Sequence, residues 1–231
     1  MRSVFGGNRV YIIVAIFIVV VIVLTVLFSG RELFSAYVPY STYDEEGWSE
    51  SKSEWTHGSG IFGLESWNSF TYRNNNTSYP AYLTVTSMKT LFMKNENELK
   101  KETKNTILEE ASKQNISIAK ESEISGERVL KNGHKTRYIL YNATLSLSEN
   151  ITEQVMFIGE TWNCDKSGTS VICIGYAQVT NNSDNNSEVN LKYWAKIIGD
   201  KDGSFLQKYP SVFVLGDFAD SNGLIFNVNC H

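Results

Sequence analysis

The most apolar stretch of the chain lies near its start. Residues 10–28 read VYIIVAIFIVVVIVLTVLF, in which Thr25 is the only clearly polar residue. An α-helix of this length spans roughly 28 Å, about the thickness of the hydrocarbon core of a bilayer. The stretch is also longer than the apolar region of a typical cleavable signal peptide. The sequence therefore predicts an uncleaved transmembrane helix over residues 10–29.

Positive charge sets the expected orientation of this helix. Arg2 and Arg9 precede it with no acidic residue beside them, and positively charged flanks tend to stay on the cytoplasmic side of a membrane. We therefore expect residues 1–9 in the cytoplasm, a single-pass protein in the cell membrane, and the bulk of the chain outside. The lipid bilayer would then be a partner of residues 10–29.

No regular period follows over residues 30–67. The stretch 43–55 is polar and acidic with aromatic residues between the charges, which is typical of a linker. The sequence predicts an extracellular stalk here. Trp48 and Trp55 are candidates for a binding surface, with the alternative that they pack onto the domain that follows.

A long helix is predicted after two strands at 69–73 and 81–90. Asn95 and Glu98 have the spacing of a capping box. Residues that can be buried then recur every four positions on a surface rich in Glu and Lys, at Leu99, Thr103, Ile107 and Ala111. This pattern predicts an amphipathic helix over 95–113, followed by a strand at 117–122.

Two hairpins are expected next. Strands over 127–131 and 135–147 flank Asn132-Gly133, the pair preferred in a two-residue type I′ turn. A second hairpin pairs 153–162 with 170–180 around the bend 165–169, whose Asp165, Lys166 and Ser167 join the candidate binding surface. Gly159 and Gly175 are expected to lower one face of this hairpin, so that a helix can approach closely.

A closing helix and a last strand complete the predicted fold. Apolar residues recur at helical spacing after Ser187, and Gly199 provides a helix stop. Residues 223–231 read as a short strand. The sequence thus predicts an extracellular α+β domain over 68–231, with an antiparallel sheet of about six strands covered by helices.

Composition limits the classes of function. The chain has 231 residues, room for one substantial domain, and 42% of them are hydrophobic, enough for a buried core. Its 21 basic and 25 acidic side chains give a formal net charge of -4. No excess of positive charge would attract a polyanion, so we expect no nucleic-acid partner.

Three cysteines leave one thiol unpaired in any intramolecular disulfide scheme. A Cys164–Cys173 bond would close a short hairpin loop and is the favoured pairing, with Cys230 as the alternative partner of either residue. These cysteines with His134 and His231 could also supply metal ligands. No C-x₂-C or H-x₃-H pair organises such a site in advance, so the sequence predicts no metal and no cofactor.

Asparagine is abundant in the polar part of the chain. Seven N-x-S/T sequons are candidate glycosylation sites and fit an exterior location; they begin at Asn75, Asn76, Asn115, Asn142, Asn150, Asn181 and Asn185.

Catalytic motifs are lacking from the sequence. It has three histidines, no G-x-S-x-G, no H-E-x-x-H and no glycine loop that would hold a phosphate. We therefore expect no enzyme, but a membrane-anchored extracellular binding or assembly module whose partner is another surface or membrane protein, or itself. The alternatives are a structural component of the cell envelope and, less favoured, an extracytoplasmic enzyme.

Two segments carry a resemblance to a known fold family. Residues 126–138, GERVLKNGHKTRY, and 193–198, YWAKII, resemble the strand pair and the closing helix of the PsbP-like family. The resemblance covers about residues 68–200 and implies an αβα sandwich and a non-catalytic binding or assembly role. Residues 159–175, GETWNCDKSGTSVICIG, resemble uncharacterised single-pass, membrane-anchored surface proteins of archaea, notably methanogens, which implies no activity.

Overall fold

The computed structural model describes residues 14, 16–23, 33–44, 47–60, 65–74, 81–148, 151–179, 187–199 and 223–231. The strands are β1 Trp48–Glu50, β2 Thr56–Ser59, β3 Glu65–Asn74, β4 Ala81–Thr90, β5 Ile116–Ile118, β6 Ile124–Val129, β7 Lys135–Ser148, β8 Ile151–Cys164 and β9 Thr169–Gln178. From residue 33 onward, the helices are α1 Tyr40–Tyr43, α2 Glu96–Lys113 and α3 Ser187–Ile198, and 3₁₀ turns occupy Lys52–Glu54, Lys120–Ser122 and Ile225–Asn227.

One antiparallel sheet organises the domain. Its main path runs β1-β3-β4-β9-β8-β7-β5, with β2 paired to β3 and β6 paired to β7. The central strand β9 is buried at every position, whereas β6 alternates between half-buried and exposed positions. A strand buried throughout must be covered on both faces, and here α2 lies on one face and α3 on the other.

The α2 face confirms the predicted long helix. The side chain of Asn95 accepts hydrogen bonds from the backbone N–H groups of Asn97 and Glu98, and the Glu98 carboxylate accepts one from Asn95 N–H. This reciprocal capping box fixes the start of the helix. The four positions expected to face the core are its buried residues, Leu99, Thr103, Ile107 and Ala111.

The α3 face combines a helix with both ends of the described domain. Trp194 and Ile197 of α3 are fully buried in a cluster with Ala36 and Val38 before α1 and with Leu224 in the tail, which we define as residues 223–231. Gly199 ends α3 in a left-handed conformation, and its N–H donates to Ala195 O at 2.8 Å. This face therefore depends on contacts between distant parts of the chain.

Gly159 and Gly175 lie beneath helices, but on opposite faces of the sheet. A Cβ on Gly159 would lie 2.8 Å from Ile107 Cδ1 of α2, and one on Gly175 would lie 2.7 Å from Ile197 Cγ2 of α3. The prediction that both glycines open space on the same face was wrong. Gly159 pairs with Ile174, so it lies on the same face as Ile174 and on the opposite face from Gly175, the next residue of that strand.

The predicted sheet of about six strands covered by helices, and with it the αβα sandwich, was wrong. The sheet has nine strands within the described residues, and helices are few. The difference arises largely in the segment 30–67, which was predicted to be a stalk. It contributes β1 and β2 and the start of β3, because Trp48↔Asn74 and Thr56↔Ser69 continue the ladder on both halves of β3.

Two local predictions also need correction. Asn132 has a negative φ, unlike both central residues of a type I′ turn, and Gly133 alone is left-handed. The hairpin instead turns through Gly133 N–H donating to Leu130 O. In the tail, residues 225–227 form a 3₁₀ turn, and the expected strand is reduced to a single bridge between Asn229 and Tyr37.

The apolar segment near the start is described only at residues 14 and 16–23, which are helical. Residues 1–9 and the rest of 10–29 lie outside the described residues. Across the described part of the chain, no helix is long and apolar enough to cross a membrane. This finding contradicts the predicted transmembrane helix, and with it the single-pass topology and the location in the cell membrane.

Candidate metal centre

The β6–β7 hairpin loop positions the first side chain of the site. Leu130 N–H donates to His134 O at 3.0 Å, and the Asn132 side chain accepts from His134 N–H at 3.0 Å. These two hydrogen bonds fix the backbone of His134 through its carbonyl and its N–H group. Its imidazole is half-buried and stacks near Trp162, with ring centroids 6.5 Å apart.

Strand register brings Cys164 to the same end of the sheet. Arg137 of β7 faces Thr161 of β8, and continuing this antiparallel register by three residues places His134 opposite Cys164. Cys164 is the last residue of β8 and is fully buried. A histidine from one hairpin and a cysteine from the next thus meet without any local sequence motif.

The tail supplies the other two side chains because the β6–β7 loop holds it in place. Lys131 N–H donates to Phe226 O at 3.2 Å, and the Asn132 amide donates to Val228 O at 2.9 Å. On its other side the tail is bridged to Tyr37. These contacts carry Cys230 and His231 to the end of the sheet.

The resulting cluster contains two sulfurs and two imidazoles. One potential ligand atom from each of His134, Cys164, Cys230 and His231 lies within 4.8 Å of the others. The two Sγ atoms are 2.8 Å apart, and Cys230 Sγ is 3.2 Å from His134 Nε2. Nδ1 of His231 is 3.6 Å from each sulfur. The two thiols are fully buried, whereas His231 is exposed.

The imidazole of His231 also contacts a lysine of the adjacent bend. Lys166 Nζ lies 3.1 Å from His231 Nε2, and a protonated lysine can only donate. Nε2 then accepts, and Nδ1 carries the proton that faces the sulfurs. Binding of a metal at Nδ1 would move this proton to Nε2 and displace Lys166.

Burial favours the protonated form of Cys230. It raises the pKa of Cys230 to about 12, and the neighbouring Trp162 indole opposes this rise. Burial also lowers the pKa of His134, and His231 lowers it further, which favours the neutral imidazole that can bind a metal. The indole N–H of Trp162 is buried beside Cys230, and a thiolate would accept a stronger hydrogen bond from it than a thiol does.

The arrangement of the three cysteines differs from the one predicted from the sequence. All three, each within the described residues, are free thiols. The bond expected between Cys164 and Cys173 is not formed, and the sulfur beside Cys164 is that of Cys230. Cys173 lies within β9, opposite Glu160. Four of the five candidate ligands considered in the sequence therefore converge, and Cys173 is separate from them.

The remaining predicted site residues are spread over the surface and the edge of the sheet. Trp48 is buried at 4% exposure, whereas Trp55 is 42% exposed and packs edge-on against Phe70. Of the bend residues, Asp165 and Lys166 are exposed, and Ser167 is half-buried. The bend directly follows Cys164, so it borders the cluster.

Only two of the seven sequons fall within the described residues. Asn115 and Asn142 are both exposed. Asn75, Asn76, Asn150, Asn181 and Asn185 lie outside them.

A second polar group was not anticipated from the sequence. The Arg128 guanidinium donates to the fully buried Glu160 carboxylate at 2.5–3.1 Å and to the carbonyls of Ile198 and Gly199. Thr136 also donates to Glu160. The pair neutralises a buried charge and satisfies the last carbonyls of α3. It therefore supports the fold next to the cluster.

Together these features define an antiparallel-sheet domain with a candidate Cys₂His₂ metal centre at one end. In comparisons with known proteins, no family model, no curated protein and no solved structure matches the chain. The resemblance to PsbP-like domains and to archaeal surface proteins is neither supported nor refuted by them.

Proposed function

We propose that the protein is a non-catalytic binding or assembly module whose sheet end is held together by a structural zinc ion. The observation that carries this proposal is the convergence of His134, Cys164, Cys230 and His231 within 4.8 Å. The four residues come from two hairpins and the tail, so one ion would cross-link three segments.

Zinc is the metal that best fits this donor set. Two thiolates and two imidazoles in a compact group favour tetrahedral coordination, for which zinc is the usual ion in proteins. Magnesium and calcium require oxygen ligands, and none of the four side chains offers one. The buried donor of Trp162 also favours an anionic sulfur in the cluster.

The ligand count supports a structural rather than a catalytic role. Catalytic zinc sites use three protein ligands and leave the fourth position to water or substrate. Here the four side chains would fill a tetrahedral shell without leaving such a position. Structural zinc contributes directly to folding free energy, because the site is not formed in the unfolded chain.

The bend 165–167 is the surface that such an ion would organise. Cys164 immediately precedes it, and Gly168 N–H donates to Cys164 O at 2.8 Å. A metal bond to Cys164 therefore fixes the base of this loop. A pre-ordered loop loses less entropy when a partner binds, which suits a module that docks to another protein or to itself.

Cobalt titration tests the proposal. The reduced, metal-free chain is titrated with Co²⁺ and then with Zn²⁺, and the visible and near-ultraviolet spectra are recorded. We expect one equivalent of Co²⁺ to bind, with tetrahedral ligand-field bands and thiolate charge-transfer bands that Zn²⁺ removes. Binding of Mg²⁺ or Ca²⁺ should not change the spectrum.

Two cysteine variants provide the matched comparison. Cys230→Ser should lose about half of the thiolate band intensity and bind Co²⁺ at least about 100-fold more weakly, because a direct ligand is removed. Cys173→Ala removes a buried thiol outside the cluster and should bind as the wild type does. No uptake by the wild type, or equal loss in both variants, would overturn the proposal.

A further inference from the structure

We infer that the Cys164–Cys230 pair is a redox switch, in which a peroxide converts the two metal-bound thiolates into a disulfide and thereby releases the zinc ion. This inference rests on the proposed zinc site and adds its regulation. The sulfur separation, the access to the cluster and the separation of the third cysteine carry it.

The distance between the two Sγ atoms lies between the value in a disulfide and the value in a zinc-bound pair of thiolates. The Sγ atoms are 2.8 Å apart. A disulfide requires about 2.05 Å, and two thiolates on a tetrahedral zinc ion, each bonded at about 2.3 Å, would be roughly 3.8 Å apart. Each sulfur therefore needs to move by only about half an ångström to reach either state.

Both states can be reached without unfolding the sheet. Cys164 ends β8, whereas Cys230 lies in the tail beyond the Asn229 bridge and has no ladder partner among the described residues. The tail can thus shift its sulfur while the β7–β8 ladder stays intact. A shift of this size can be absorbed beyond the Asn229 bridge, because the hydrogen bonds from Lys131 and Asn132 hold the residues that precede it.

The oxidation balances with peroxide as the two-electron acceptor. One thiolate attacks a peroxide oxygen, so that an S–O bond forms, the O–O bond breaks and hydroxide leaves. The second thiolate attacks the resulting sulfenic sulfur, so that the S–S bond forms, the S–O bond breaks and a second hydroxide leaves. Two protons convert the hydroxides into water, and the two sulfurs have lost two electrons in total.

An open cleft lies beside the cluster and shares His134 with it. His134 and Trp162 line an open cleft of about 490 Å³, with Asn163 and Asp165 on the side nearest the bend. His231, whose Nδ1 is 3.6 Å from each sulfur, is exposed on the surface of the cluster. The imidazole of His134 lines the cleft and its Nε2 lies 3.2 Å from Cys230 Sγ, so a small oxidant in the cleft is next to a side chain that contacts a sulfur.

The third cysteine is arranged so that it stays reduced. Cys173 is fully buried in β9, and burial raises its pKa well above that of a free thiol. A protonated thiol reacts poorly with peroxide. Since Cys173 is not a member of the cluster, it would also gain no activation from the ion.

The test follows zinc and thiols in the same sample. The zinc-loaded full chain is treated with hydrogen peroxide, free Zn²⁺ is followed with a chromogenic chelator, and non-reduced peptides are mapped by mass spectrometry. We expect release of about one equivalent of zinc together with a Cys164–Cys230 linked peptide, and recovery of binding after reduction. Cys173→Ala should release zinc at the wild-type rate.

The outcomes separate the two proposals. If zinc binds but peroxide causes neither release nor the Cys164–Cys230 link, the switch is wrong and the structural zinc site stands. If the link forms in a chain that binds no zinc, the proposed zinc site fails, and the switch fails with it. A disulfide to Cys173, or release without any disulfide, would also overturn the switch.

Discussion

The two faces of the sheet are built from different kinds of contact. The α2 face is covered by one helix whose cap and buried residues all lie within 95–113. The α3 face instead joins the segment before α1 to the tail, so that Tyr37 and Asn229 meet across 192 positions of sequence. The first face is stabilised by one continuous helix, and the second is covered by the shorter helix α3 together with irregular segments from both ends of the described domain.

This difference explains why the cluster lies where it does. The tail buries Leu224, Ile225 and Val228 in the apolar cluster of the α3 face, but the entropy lost when distant segments are joined must be offset by further contacts. An ion that binds His134, Cys164 and the tail would supply that stabilisation at the end of the α3 face. The α2 face has a helix of 18 residues to do this.

Removal of zinc should have the largest effect and should act on one face only. Zinc at about 1,000 times its dissociation constant stabilises a chain by roughly 4 kcal/mol, which corresponds to about 10 °C in Tm for a protein of this size. Calorimetry with and without a chelator measures the shift.

Hydrogen exchange should show lost protection in the tail and the β6–β7 loop after zinc removal, whereas α2 stays protected. An unchanged Tm, or equal deprotection of α2, would refute the comparison.

Gly223→Ala should be the most damaging single substitution. The added Cβ would lie 2.0 Å from Gly199 Cα. Because Gly199 Cα is a backbone atom, it cannot move aside as the end of a flexible side chain could. We expect a loss of about 3 kcal/mol in unfolding free energy, measured by urea denaturation, and weaker zinc binding because the tail shifts. Gly168→Ala is the control: Gly168 has a positive φ, unlike Gly223, but no heavy atom lies within 4 Å of the new Cβ, so the substitution should cost only about 1 kcal/mol. Equal losses would contradict this packing.

Asn95→Ala should weaken the α2 face alone. It removes the hydrogen bonds that the cap side chain accepts at the start of α2, which typically costs about 1 kcal/mol. Urea denaturation measures the loss, and cobalt titration should give the wild-type affinity. A change in metal affinity would show that the two faces are coupled more strongly than their contacts suggest.

The smallest expected effect is the pH-dependent contribution of Glu123 to the stability of the fold. Hydrogen bonds from Lys104 on α2 and then from Tyr141 on β7 lower the pKa of its carboxyl below the ordinary 4.5. Stabilisation from a lowered pKa is present above 4.5 and is lost as pH falls through the folded-state value. Glu123→Gln should therefore lower Tm at pH 7, and the difference from the wild type should vanish at strongly acidic pH. A difference that grows on acidification would contradict this sign.

The contrast between a local helix and contacts of distant segments also determines how much of the fold could be predicted from the sequence. The bounds of α2, its capping box and both hairpins follow from local patterns that span a few residues. The stalk prediction failed because β1 and β2 are short and pair with β3 without a strong alternation of their own. Local pattern predicts an element, but it does not predict which elements pair.

The candidate site was considered but not predicted from the sequence for the same reason. Its four ligands come from two hairpins and the tail, and spacing between Cys164 and Cys230 carries no signature. One signal was present: a tight return between 135–147 and the next strand would have placed His134 opposite Cys164, as the observed register does. The docking of the tail by Lys131 and Asn132 depends on tertiary contacts that no periodicity encodes.

X-ray absorption at the zinc edge of the loaded, reduced chain tests the central claim most directly. The account predicts two sulfur neighbours at about 2.3 Å and two nitrogen neighbours at about 2.0 Å, with one sulfur lost in Cys230→Ser and none lost in Cys173→Ala. A shell of oxygen and nitrogen alone, or the same sulfur count in all three proteins, would show that the four side chains do not bind the ion together.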